Sequence, residues 1–202
     1  MHVLRLGGID KHRTAYFSSQ STSNGGRKVL GQKPYALSVR VITWNVNSIR
    51  QRLPRLLALL SRHEPDVVCL QETKVADQDF PIDPLLEQGY GALSHGQGGR
   101  NGVAIVSRLP MEEVSRGLPG SPVPDDARVL VARVDGVTVA SIYAVNGKEV
   151  GDPAYDVKLD WYEALDAWAQ SMIDPVALTL LAGDFNVTPD DRDVHDLSLI
   201  HI

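Results

Sequence analysis

Apolar positions in this chain fall into short unbroken runs that alternate with stretches spaced for one face of a helix, a pattern that predicts an α/β protein. Residues 39–44 are rich in β-branched side chains and predict a strand. Leu53, Leu56, Leu57 and Leu60 follow at i, i+3, i+4 and i+7, the spacing of a helix face. Pro54 fits the first turn of that helix, where its missing N–H costs nothing. His63-Glu64-Pro65 ends the helix, and residues 66–71 form a continuous apolar run, expected of a strand covered on both faces. Strand, helix, strand is a crossover unit.

The middle of the chain reads as antiparallel. Residues 102–107 predict a strand, and 128–134 and 137–145 flank Asp135-Gly136, a hairpin turn signal. Asp152-Pro153 supplies an N-cap and first residue for a second helix. Tyr155, Leu159, Tyr162, Ala169 and Met172 share roughly one face of it. Residues 177–182 are another buried strand. Two similar halves predict two sheets packed face to face with helices outside.

Residues 1–38 differ from the rest. They are rich in Gly, Ser and Gln without a period of 2 or 3.6, so 18–28 are expected to be disordered and 1–38 to be an extension outside the folded domain. Charge divides at the same place. Through Arg40 there are seven basic residues and one acid, a net +6, whereas the remainder carries −11. A net-acidic body does not attract nucleic acid by bulk charge, so any such contact must run through local Arg and Lys side chains and bridging metal ions. The 202 residues allow one sizeable core and little room for a second domain. The lone Cys69 excludes an internal disulfide framework and fits a reducing compartment, hence an expected cytoplasmic location in a bacterium. It lies in the apolar run 67–70 and reads as a core residue. No apolar run approaches the ~20 residues that span a bilayer, so no membrane partner is expected.

The polar residues of interest sit where the strands end. Asn45 and Asn47 follow the first, Gln71 and Glu72 end the next, Tyr143 and Asn146 end the hairpin strand, and Asp184 and Asn186 follow the last. Taken singly, each has an ordinary reading as a turn, cap, surface or core residue. Together they line the strand carboxyl ends, where open α/β sheets bind ligands. An oxygen-rich set without His or Cys pairing suits Mg²⁺ or Mn²⁺ rather than zinc.

Three blocks carry a resemblance: Thr43-Trp44-Asn45-Val46-Asn47-Ser48-Ile49-Arg50, Pro65-Asp66-Val67-Val68-Cys69-Leu70-Gln71-Glu72-Thr73-Lys74 and Gly183-Asp184-Phe185-Asn186-Val187. Asn101-Gly102-Val103-Ala104-Ile105 and Ile142-Tyr143-Ala144-Val145-Asn146-Gly147 add two more. In order and spacing they resemble the exonuclease III family of AP endonucleases over residues 39–196. The resemblance implies an α/β four-layer sandwich, two packed mixed β-sheets flanked by helices, here incomplete at the C-terminus.

By position, the resemblance implies that Glu72 holds Mg²⁺ (or Mn²⁺), with Asn45 as ligand or support. It implies that Asp184 orients or deprotonates the attacking water and that Asn186 fixes Asp184 or the phosphate. Tyr143 would donate to the phosphate or leaving oxygen, Asn146 would be a second phosphate contact, and Lys74 a backbone contact. Val145 stands where the family usually has Pro. The family also continues past Asp196 with a further acid and a terminal Asp-His pair that His195 and His201 do not match, and 197–202 read as a non-native tail. The implied function is a monomeric DNA repair nuclease acting on double-stranded DNA at abasic sites or 3′ blocks, inactive as this fragment. The alternatives are another phosphodiesterase or phosphatase of the same fold, or a non-catalytic DNA-binding remnant.

Overall fold

Continuous apolar runs become the central strands because only a strand covered on both faces can bury every side chain. In the computed structural model, which describes residues 2–5, 39–172 and 178–187, β3 (Val67–Gln71) and β5 (Val103–Ser107) are buried at every position. They join β1 (His2–Arg5), β2 (Arg40–Asn45) and β4 (Gly91–His95) in a mixed sheet ordered β1-β2-β3-β5-β4. β2 and β3 are parallel, in register from Val41–Val67 to Asn45–Gln71. The second sheet is ordered β6-β7-β8-β9, from β6 (Met111–Arg116), β7 (Val129–Val134), β8 (Val137–Tyr143) and β9 (Thr179–Asp184). β8 and β9 are parallel, ending on the pair Tyr143–Asp184.

Alternation along each strand divides the core into three apolar layers. Val41, Val67, Cys69, Val103 and Ile105 point inward against Leu130, Ala132, Val134, Val139, Leu180 and Ala182 of the other sheet. The opposite faces pack under helices. Ile42, Val68, Leu70, Ala104 and Val106 meet Leu56, Leu59 and Leu60 of α1 (Ile49–His63). Val129, Val131, Ala140 and Ile142 meet Trp161, Leu165 and Trp168 of α3 (Pro153–Met172). The layers are helix, sheet, sheet, helix, the expected four-layer sandwich. A short helix α2 (Asp83–Leu86) lies between β3 and β4. No helix among the described residues is long and apolar enough to cross a membrane.

The Asp135-Gly136 turn has both residues at positive φ, 46° and 82°, the geometry that matches strand twist in a two-residue hairpin. Three expectations need correction. Helix α1 begins at Ile49, so Pro54 lies in its second turn rather than its first. The start is set from outside the helix: Ser48 and Ile49 donate their N–H groups to the Glu72 and Thr73 carbonyls, at 2.7 and 3.0 Å. The fully buried face of α3 is Trp161, Leu165 and Trp168, at i, i+4 and i+7, with Tyr162, Ala169 and Met172 partly buried beside it, while Leu159 is exposed. The strands β4 and β6, absent from the sequence reading, complete the two sheets. β6 is an edge strand with exposed Glu112, Glu113 and Val114 and a bulge between Glu113 and Ser115, features that discourage further pairing.

Of the extension expected over 1–38, His2–Arg5 pairs antiparallel with β2; residues 6–38 lie outside the described residues, as do the boundary at 196 and the tail 197–202.

Candidate active site

Both parallel pairs run in the direction that delivers their last residues to one rim of the sandwich. β2 and β3 bring Asn45 and Gln71–Glu72 there, and β8 and β9 bring Tyr143 and Asp184. Two sheets facing each other at van der Waals depth set Asn45 against Asp184. The Asn45 amide nitrogen donates to Glu72 Oε1 at 2.7 Å and to Asp184 Oδ2 at 2.8 Å. Its oxygen accepts the Asn47 backbone N–H at 3.0 Å. That N–H can only donate, so it fixes which end of the amide faces the carboxylates. Asn45 therefore bridges the two acids with its nitrogen and presents its oxygen to its own turn: it braces the expected metal residue Glu72.

The backbone at this rim is held in an uncommon conformation. Asn47, Ser48, Glu72, Lys74 and Asn186 all have positive φ, which costs a non-glycine residue of order 1 kcal/mol or more and clusters at functional sites. Gly183 shows why β9 sits so close: a Cβ there would lie 1.9 Å from the Ile142 carbonyl oxygen.

Electrostatics follow from the packing. Glu72 is desolvated, which raises its pKa, but hydrogen bonds from Asn45, Lys74 and Tyr143 outweigh that and hold it below the ordinary glutamate value. Lys74 Nζ lies 2.9 Å from Glu72 Oε2 and also bonds Asn47 Oδ1. Burial, then the charge and hydrogen bond of Glu72, push the Tyr143 phenol up to about 12, so at neutral pH it keeps its proton and can donate. Asp184 receives one donor on each oxygen, Asn45 on Oδ2 and the Asn186 backbone N–H on Oδ1 at 3.0 Å. The Asn186 amide ties to the Ala144 carbonyl at 2.8 Å. Asn146 stands on the same rim with its oxygen closing a turn on the Lys148 N–H at 2.9 Å; no hydrogen bond joins it to the trio of Asn45, Glu72 and Asp184. Gln71 points between the sheets instead, donating to Ser141 Oγ at 3.2 Å and accepting from Thr43 Oγ1 at 3.3 Å.

Four supporting residues were not read from sequence as partners of the site. Lys158 and Tyr162 of α3 donate to the Asn186 and Phe185 carbonyls and hold the Asp184 turn; their i, i+4 spacing was the available signal. Arg128 lies over the Tyr143 ring, and Asp126 pairs with Arg128; nothing in a single sequence marks that pair. The rim is open. Two surface hollows lie elsewhere, one along α3 at Pro119 and Gly120 and one around Leu86, Leu93 and Met111, and no site residue lines either.

The profile of the Endonuclease/Exonuclease/phosphatase family matches residues 42–200. The chain belongs to that family. Within it, exodeoxyribonuclease III of Haemophilus influenzae is 30% identical over 161 residues, which are 77% of this chain and 60% of that protein. An exodeoxyribonuclease of Bacillus subtilis is 27% identical over 158 residues, 77% of this chain and 62% of that protein. Among solved structures, an AP endonuclease from Archaeoglobus fulgidus superposes with TM-score 0.74 at 38% identity, covering 78% of this chain and 61% of that one. A 3′-5′ exonuclease from Neisseria meningitidis superposes with TM-score 0.73 at 39% identity, covering 77% and 61%. The chain thus spans about 60% of the length of these family members.

Proposed function

We propose that this rim belongs to the active site of a DNA repair nuclease, which hydrolyses phosphodiester bonds at abasic sites and at 3′ ends with a divalent metal. The observation that carries the proposal is the Asn45 amide bridging Glu72 and Asp184 at 2.7 and 2.8 Å, beside a protonated Tyr143. The family relationship supports it, as does the relatives' description as exodeoxyribonucleases and an AP endonuclease. One related Neisseria 3′ phosphatase, 39% identical, is described as bound to a product DNA hairpin.

The donor set fits a hard cation. Glu72 and Asp184 offer carboxylate oxygens, and no group of three His, Cys, Asp or Glu side chains gathers among the described residues. Two carboxylates suit Mg²⁺, which keeps several waters and binds through one or two acids plus a substrate phosphate. Glu72 would hold the ion, with Asn45 fixing its carboxylate. When bound, the cation offsets the charge that builds on a phosphate oxygen.

The chain's own residues divide the remaining work. Asp184, held on both oxygens, accepts a proton from the water whose oxygen attacks phosphorus. The bond to the 3′ oxygen breaks as the new P–O bond forms. Tyr143 donates its phenolic hydrogen to the phosphate or the departing oxygen. Asn186 keeps the Asp184 turn in place, and Asn146 contacts the phosphate at the outer rim. Lys74, Arg50 and Arg52 supply local positive charge where the body as a whole is acidic.

The test is a substrate panel assayed with the complete protein: an abasic duplex, a 3′-phosphate duplex, an unmodified recessed 3′ end, and phosphate esters of sugars and lipid headgroups, each with Mg²⁺, Mn²⁺ or chelator. Metal-dependent cleavage of the DNA substrates alone is expected. Turnover confined to the small esters would move the protein to another branch of its family, and DNA binding without cleavage would make it a non-catalytic module.

A further inference from the structure

Arg128 precedes β7 and faces Tyr143 across the hairpin, where its carbonyl accepts the Tyr143 N–H at 2.8 Å. Its side chain then folds back over the same residue. The guanidinium carbon lies 4.8 Å from the Tyr143 ring centroid. Nη1 donates to the carbonyls of Ala144 and Tyr143, at 3.2 and 3.4 Å. Nε pairs with Asp126 Oδ2 at 2.9 Å, and both side chains are only 13% exposed. Asp126 is itself braced by Arg100 at 3.2 Å. An arginine serving as a phosphate contact would present its fork to solvent; this one is turned inward and closed on three sides.

The Ala144 carbonyl is a shared point. It accepts from Arg128 and from the Asn186 amide, while the Ala144 N–H donates to the Asp184 backbone oxygen at 2.8 Å. The segment that carries Tyr143 is thus locked to the turn that carries Asp184, with Arg128 on one side and Asn186 on the other.

We propose that Arg128 is a positioning residue for Tyr143: stacked on the ring and anchored by Asp126, it fixes the phenol toward Glu72 and the reacting phosphate. The proposal rests on the reading of this rim as a phosphodiesterase site. A phenol at the end of a strand has two free side-chain torsions, and a planar cation on one ring face removes that freedom without touching substrate.

The experiment is a double-mutant cycle in the complete protein, with nicking of an abasic duplex as the readout and Mg²⁺ present. Arg128→Met should lower kcat roughly tenfold, the scale of a lost partly buried cation–π contact, with KM nearly unchanged. Arg128→Lys should recover part of the loss. In the Tyr143→Phe background, Arg128→Met should cost little more, because the hydroxyl that it aims is gone. Equal losses in both backgrounds, or a loss confined to KM, would overturn the proposal. Fluorine NMR of the 3-fluorotyrosine-labelled protein gives an activity-free reading. The Tyr143 signal, assigned by its absence in Tyr143→Phe, should shift or split in Arg128→Met. If that variant fails to melt cooperatively, Arg128→Lys carries the same cycle. An unchanged signal in a folded variant contradicts the clamp. Full activity of Tyr143→Phe would instead remove the phosphodiesterase reading, leaving the NMR result to decide the clamp.

Discussion

Replacing Asn45 by alanine should weaken the whole sandwich, because one side chain ties the ends of both sheets together. Two hydrogen bonds to carboxylates disappear, from lengths of 2.7 and 2.8 Å. Hydrogen bonds to charged groups contribute about 1.5–3 kcal/mol each. Discounting for partial exposure, and because Lys74 still pairs with Glu72, leaves about 2–3 kcal/mol for the pair. For a domain of this size that corresponds to a melting point lower by roughly 4–12 °C. Asn45→Asp keeps the shape but sets a third negative charge against two others. Its loss should exceed that of alanine at pH 8 and shrink at pH 5, as protons are shared among the three acids. Calorimetry or circular dichroism at both pH values is the assay. An Asn45→Ala protein melting within about 1 °C of wild type would refute the bridging role.

Other outcomes follow from the same geometry. Glu72 has a folded pKa below the ordinary value of 4.5, so its contribution to stability is present above that value and lost as pH falls through the lower folded one; Glu72→Gln should flatten this acid limb in a pH series of melting curves. Cys69 is fully buried with its thiol pushed up to about 12, so a thiol reagent should leave the native protein unmodified and label it stoichiometrically in denaturant. Gly183→Ala forces a methyl against the Ile142 carbonyl and should cost about 1–3 kcal/mol or more, read as loss of Tm and of the Tyr143–Asp184 register. Trp161 lies fully buried on the inner face of α3, and Trp161→Ala should cost about 3–5 kcal/mol in denaturant unfolding.

Much of this was visible in the sequence, for reasons that can be stated. Residues 67–71 and 103–107 had no polar face to misplace, so their burial was legible directly. Asn45, Glu72, Tyr143 and Asp184 could be gathered because parallel neighbours end on the same rim, and strand order alone decides which rim that is. β6 escaped notice because an edge strand reading Met-Glu-Glu-Val-Ser-Arg keeps its charges in water and lacks the alternation of a half-buried strand. β4, Gly-Ala-Leu-Ser-His, has no β-branched residue and forms only because β5 pairs with it. The start of α1 was misjudged because carbonyls of the 72–73 turn, distant in sequence, capture its first N–H groups. That the Asn45 amide reaches Asp184 depends on the two sheets meeting across the sandwich, and the stacking of Arg128 on Tyr143 depends on the pairing of β7 with β8.

The proposed role of Asp184, held by Asn45 and Asn186, is to activate water at a metal-assisted phosphodiester site. Its most direct test is single-turnover nicking of an abasic duplex by the complete protein and its Asp184→Asn variant, with Mg²⁺ and enzyme in excess. The variant's rate should be lower by ~10²–10⁴-fold with DNA affinity nearly intact. Near-normal nicking by Asp184→Asn, or full activity of the wild type in chelator, would contradict it.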